Sequence, residues 1–168
     1  MMKNKIYIGI DNGVTGTIGV IYNNKTWFFE TPVKKEQNYT KAKANISRID
    51  LPKLLSTLND IIFECKPESA MCLIERPMVN PSRFKATTSA LRALESTLIC
   101  LELMKIPIQY EDSKKWQKEL LPIGSVKEQL KKDSVDIGCR LFLQHEELIK
   151  KHKDADGLLI AEYCRRKF

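Results

Sequence analysis

The chain has only two histidines among its 168 residues, His145 and His152, both in a charged C-terminal stretch. Chemistry in which an imidazole activates a serine or cysteine nucleophile therefore has little material to work with. The five cysteines, Cys65, Cys72, Cys100, Cys139 and Cys164, are odd in number and never fall in a Cys-x-x-Cys spacing. That argues against a disulfide frame or zinc site and for reduced core thiols. A charged start followed by an apolar run and a cleavage site is missing, and no apolar run approaches the roughly 20 residues of a membrane span. The expectation is one cytoplasmic domain over residues 1–168 with no membrane partner. No internal repeat or low-complexity segment appears.

What is present is an ordinary globular composition with a basic balance. Hydrophobic residues make up 43%, and 28 Lys plus Arg against 21 Asp plus Glu give a net charge of +7, which suits a polyanionic partner.

Periodicity divides the chain. Ile6, Ile8 and Ile10 alternate as in a strand that ends at Asp11, and Thr17–Tyr22 and Thr26–Thr31 read as two further strands around a turn at Asn23-Asn24-Lys25. Residues 33–48 form a polar, basic connection. From Asp50, an N-cap candidate, Leu51, Leu54, Leu55, Leu58, Ile61 and Ile62 recur at helical spacing until Pro67. Ala70–Ile74 reads as a buried strand ending at Glu75. Leu91, Leu94, Leu98 and Leu101 mark a helix ending near Lys105, and Ile106–Tyr110 a strand. Helical segments then follow over 113–120, 125–143 and 154–166. Strands alternating with helices imply an α/β domain with parallel strands covered by helices.

Three carboxylates stand where elements meet loops: Asp11 and Glu75 at strand ends and Asp156 at a helix start. A carboxylate closing an apolar run carries a desolvation penalty that a cation would offset, and oxygen-only ligands suit Mg²⁺ or Mn²⁺. Taken singly, each is as easily a turn former or a helix cap.

The ordered set of motifs resembles the RuvC-type Holliday-junction resolvases, in particular phage-like members, within the ribonuclease H-like superfamily. YIGIDNGVTGTIGVIY is similar to the family's opening hairpin, LIERP to its second acidic motif, and KKHKDADGLLIAEYCRR to its final acidic helix. The segment SKKWQKELLPIGSVKEQLKKDSVDIGCRLF resembles the region before that helix. The resemblance implies a mixed sheet of about five strands flanked by helices. It also implies a homodimeric, metal-dependent endodeoxyribonuclease of four-way junctions in a bacterial or phage-infected cell. Asp11, Glu75 and Asp156 then hold Mg²⁺, two ions per site, for which Mn²⁺ substitutes. The family places a fourth ligand a turn before the last Asp, where this chain has His152 and Lys153. Asp154, just before the helix, takes the role here, with His152 as the alternative at helical spacing.

Residues 76–94 contain no acid but include Arg76, Arg83, Lys85 and Arg92, a candidate phosphate track beginning one residue after Glu75. Within it Phe84 is the candidate apolar wedge at a junction centre, as the resemblance implies. Lys34 to Arg48 and the tail Arg165-Arg166-Lys167 add candidate sequence-independent contacts. Related readings stay open: a nuclease for flaps, forks or RNA–DNA hybrids, or an inactive nucleic-acid-binding module of the same fold. A sugar-kinase-like or actin-like ATP-binding fold shares the opening turn and hairpin, but it needs a second domain of comparable size, which 168 residues do not supply.

Overall fold

Alternating isoleucines build the centre of the molecule. In the computed structural model, which describes residues 4–41, 43–124 and 126–168, β1 (Lys5–Ile10) buries Ile6, Ile8 and Ile10 completely or nearly so. β2 (Thr17–Tyr22) and β3 (Lys25–Glu30) continue from it as an antiparallel meander. β4 (Val33–Gln37) and β5 (Asn45–Ile49) form a separate two-stranded sheet. The helix α1 (Leu51–Cys65) follows, and β6 (Ser69–Glu75) then returns to pair parallel with β1. After α2 (Phe84–Leu103), β7 (Ile108–Glu111) adds parallel to β6, giving a mixed five-stranded sheet in the order β3-β2-β1-β6-β7. α3 (Ser113–Leu120), α4 (Lys127–Leu141), α5 (Glu146–His152) and α6 (Asp156–Lys167) complete the chain. This is the ribonuclease H-like architecture that the motifs imply.

Side chains leave the sheet on both faces, so it has two cores. Ile8, Ile10, Cys72 and Ile74 pack with Leu54 and Leu58 of α1 and Leu101 of α2. Leu73, from the opposite face of β6, packs with Trp116 of α3 and Leu158, Leu159 and Ala161 of α6. All five cysteines are free thiols. Among the described residues no helix is long and apolar enough to cross a membrane.

Glycines allow α6 to lie directly on the sheet. A Cβ on Gly9 would fall 2.1 Å from the Ala161 nitrogen, one on Gly19 would fall 2.5 Å from Leu158 Cα, and one on Gly157 would fall 2.6 Å from the Thr17 carbonyl oxygen. Only hydrogen at these positions lets helix and strand backbones approach so closely. The notch fixes where the first turn of α6, with Asp156, meets the end of β1.

The expected elements are present with adjusted limits. Asp50 caps α1, its side chain accepting from the Lys53 amide at 3.2 Å. The basic connection proves to hold the β4–β5 hairpin, and β7 begins at Ile108 because Ile106 still bonds back to the Leu101 carbonyl at 3.0 Å. The helical segment expected over 125–143 is α4 over Lys127–Leu141, Ser125 lying outside the described residues. The separate helix α5 lies before α6, which starts at Asp156 and not at Asp154.

Candidate active site

Register brings the first two carboxylates together. β1 and β6 are parallel and paired, with Ile10 opposite Ile74, so the next residues, Asp11 and Glu75, emerge side by side from the same edge of the sheet. Adjacent strands lie about 4.8 Å apart, which is carboxylate-to-carboxylate range. Above this edge sits the start of α6. Thr17, fully buried at the start of β2, ties the two: its hydroxyl donates to Asp154 Oδ1 and accepts from the Gly157 amide, both at 3.0 Å. Asp154 Oδ1 also accepts from the Asp156 amide at 3.2 Å.

Three of the four carboxylates have a protein donor. The indole Nε1 of Trp116, a residue with no exposure, donates to Glu75 Oε2 at 2.7 Å. Buried Ser134 of α4 donates to Asp156 Oδ1 at 2.5 Å and accepts from the Ala155 amide at 3.0 Å. Asp154 is held by Thr17. Among the described residues no hydrogen bond reaches the side chain of Asp11, and the neighbouring Asn12 Oδ1 is buried without a partner.

The electrostatics follow from burying like charges together. Asp11 is pushed well above the usual carboxylate range, first by burial and then by the charges of Asp156, Glu75 and Asp154, with Lys131 acting in the opposite direction. Burial lifts Glu75 to about 7, against the Trp116 hydrogen bond and with a further push from Asp156. Asp156 rises to about 6, mainly by burial, opposed by the Ser134 hydrogen bond. Lys131 lies one turn before Ser134 on the same face of α4, so the helix that braces Asp156 also brings a cation to the site.

Among the described residues, no group of three or more acidic, histidine or cysteine side chains is positioned as a ready-made metal cage. The donor set nevertheless fits a hard divalent cation. All the ligand atoms on offer are oxygens, the carboxylates raise one another's affinity for positive charge, and a buried oxygen beside Asp11 has no partner. His152, the alternative fourth ligand, turns elsewhere: its Nδ1 lies 2.5 Å from Glu30 Oε1 and its ring stands edge-on to Phe28.

The candidate DNA contacts separate into committed and uncommitted side chains. Arg76 pairs with Asp112 at 3.0 Å and lies over the Tyr110 ring. Arg92 donates to the Tyr39 hydroxyl at 2.6 Å and stacks on its ring, 5.7 Å from the centroid. Arg83 and Lys85 are exposed at the start of α2 and make no ion pair with described residues. Phe84 between them is 73% exposed and Met78 is 78% exposed, so neither is a core residue. A cleft of about 280 Å³ runs from Glu75 past Arg76, Met78 and Arg83.

Sequence reasoning missed Thr17, Trp116, Ser134 and Lys131. No local pattern could single them out, because each reaches the site from an element distant in the chain.

No protein-family model and no curated protein sequence matches the chain. Solved structures do. Thermus thermophilus RuvC in complex with a Holliday junction substrate is similar at a TM-score of 0.55 and 12% identity, covering 95% of this chain and 89% of that one. Another Thermus thermophilus RuvC structure matches at 0.49 with 17% identity over 96% of both chains. The Fowlpox virus resolvase with its Holliday junction DNA matches at 0.45 with 9% identity, over 96% of this chain and 95% of that one. At such identities the first of these establishes the shared fold.

Proposed function

We propose that the chain is a Mg²⁺-dependent endonuclease that resolves four-way DNA junctions as a homodimer in the cytoplasm. The observation that supports this most is the convergence of Asp11, Glu75, Asp154 and Asp156 on one sheet edge, where each of Asp11, Glu75 and Asp156 is held above its ordinary pKa. A protein that buries like charges together without paired cations sacrifices stability, which points to a bound partner of opposite charge. The similarity to a resolvase bound to a Holliday junction suggests the substrate class.

In this reading Asp11, Glu75, Asp156 and Asp154 hold two Mg²⁺ ions, for which Mn²⁺ substitutes. Such ions activate water and stabilise the leaving oxygen in phosphodiester hydrolysis. The chain's own residues do the rest. Trp116 and Ser134 fix the Glu75 and Asp156 carboxylates, and Thr17 orients Asp154. Lys131 supplies a positive charge near the cluster, while Arg83 and Lys85 lead the backbone of the substrate along the cleft. In the same reading the exposed Phe84 serves as the wedge at the junction centre. A junction has approximate two-fold symmetry, so a dimer presents two such sites to related strands.

The test is cleavage of labelled four-way junction, flap, fork, duplex and RNA–DNA hybrid in Mg²⁺ or Mn²⁺, with Asp11→Asn and Glu75→Gln alongside. Paired symmetric cuts in the junction, lost in both variants while folding and junction binding persist, are the expected result. Undiminished cutting by a variant removes that residue from the mechanism. Tight junction binding with no cleavage identifies an inactive binding module.

A further inference from the structure

Resting on that reading, we propose that the β4–β5 hairpin is a cationic arm-binding element, which grips the phosphate backbone of a nucleic-acid duplex leaving the active site. Its place in the fold supports this. β3 runs parallel in space to β1, with Glu30 opposite Thr17 and Ile18 opposite Ile10, so the chain enters the hairpin at the same sheet edge that carries Asp11. The Thr31 amide donates to the Gly16 carbonyl at 3.0 Å, tying the hairpin root to the Asp11 turn.

From that root the hairpin passes along α2 and is fastened there. Ser47, Arg48 and Ile49 of β5 share a cavity of about 240 Å³ with Val14 and with Ser89 and Arg92 of α2. At the other end Tyr39 receives the hydrogen bond and stack from Arg92. Arg92 thus holds the hairpin against α2. The hairpin, the turn after Asp11 and the middle of α2 meet around one cavity.

The charges on this surface are unequal in availability. Residues 33–49 carry Lys34, Lys35, Lys41, Lys43 and Arg48 against Glu36 alone. Glu36 bridges Lys34 at 2.5 Å and Arg48 at 2.7 Å, partly neutralising both. Lys35, Lys41 and Lys43 are exposed and make no ion pair with described residues. Three ammonium groups without an ion pair among the described residues, one on β4 and two in the loop that joins it to β5, match a polyphosphate, whose binding gains from the release of condensed counterions. They carry no base-reading geometry, so the contact is independent of sequence.

The experiment measures affinity of the full chain for a four-way junction and for plain duplex DNA over a range of salt, with Ca²⁺ in place of Mg²⁺. Lys35→Ala/Lys41→Ala/Lys43→Ala is expected to bind about ten-fold or more weakly near physiological salt. Its log–log salt slope should be shallower by about 0.9 for each phosphate that is no longer neutralised. Lys34→Ala/Glu36→Ala/Arg48→Ala, which removes the bridged trio at a net loss of one charge, weakens binding much less. Tyr39→Ala, which releases the hairpin from α2, lowers affinity while leaving all three lysines in place. Wild-type affinity and slope in the triple variant overturn the proposal. A wild-type protein that binds DNA without cutting it, with the triple variant impaired, leaves the hairpin proposal standing and removes the nuclease reading. A wild-type protein that binds neither junction nor duplex overturns both.

Discussion

At the scale of single residues, the carboxylates owe their directions to uncharged neighbours. Trp116 has no exposure and a single polar side-chain atom, and that atom donates to Glu75. The bond opposes the upward push of burial on Glu75. Trp116→Phe keeps an aromatic ring in the core and deletes the donor, so the fold should survive while Glu75 loses its orientation. Residues behind a metal ligand typically govern affinity or activity by about 10- to 100-fold. The expected outcome is a rise in the Mn²⁺ concentration for half-maximal cleavage with an unchanged circular dichroism spectrum; wild-type metal dependence in the variant would remove Trp116 from the mechanism. Ser134→Ala should act the same way on Asp156, with an added stability cost because the Ala155 amide loses its acceptor as well.

At the scale of elements, the site depends on how closely α6 can approach β1 and β2. Gly19→Ala introduces a methyl group 2.5 Å from Leu158 Cα and 2.6 Å from the Gly157 carbonyl carbon, and both are backbone atoms that cannot rotate aside. The helix must lift. Overpacking of this kind costs about 1–3 kcal/mol, or roughly 3–10 °C in melting temperature for a chain this size. Because Asp156 and Asp154 ride on the lifted end, cleavage should fall far more than stability does, by about 100-fold for a displacement near 1 Å. Calorimetry and cleavage rates on one preparation check this; a variant that melts lower yet cuts normally would show that α6 placement does not govern the site.

The same elements show what could be read in advance. β1, β2, β6 and α1 were legible because their apolar residues repeat at the period of the element, and Asp11 and Glu75 because each closes such a run. The β4–β5 hairpin was not, since VKKEQ and NISRI have little apolar alternation and lysine, glutamate and asparagine are poor strand formers. α5 is only seven residues long, too short for a helical period to stand out. Nothing local foretold that His152 would pair with Glu30, which lies at the far end of the chain, or that Arg92 would be taken up by Tyr39. Those outcomes belong to tertiary docking, which periodicity does not encode.

At the scale of the whole molecule, the site should tie stability to pH and metal. Asp11, Glu75 and Asp156 have native pKa values raised above their ordinary ones of 3.8, 4.5 and 3.8, with Glu75 near 7 and Asp156 near 6. The native state therefore binds protons more tightly than the unfolded chain between about pH 4 and 7, and stability without metal falls as pH rises through that window. For Glu75 alone the linkage amounts to about 3 kcal/mol, an upper figure because the three groups titrate together. His145 works in the opposite sense, since burial lowers its pKa and favours folding at higher pH. Glu111, held down to about 2 by Lys167 and Lys115 against the cost of its own burial, and Glu162, lowered by Arg165 and Arg166, take effect only in more acid solution, where protonating them removes stability. Metal-free protein is thus expected to melt higher at pH 5.5 than at pH 8. Asp11→Asn, which removes the most penalised charge, should raise the metal-free melting temperature at pH 8 by about 3 °C or more. Mg²⁺ should stabilise the wild type at pH 8 and the variant much less, because binding to the native state alone adds stability by mass action. Melting curves of both proteins at the two pH values, with chelator and with Mg²⁺, decide the matter. A wild type indifferent to Mg²⁺ and no less stable than Asp11→Asn at pH 8 would mean that these buried charges are balanced within the protein and wait for no cation.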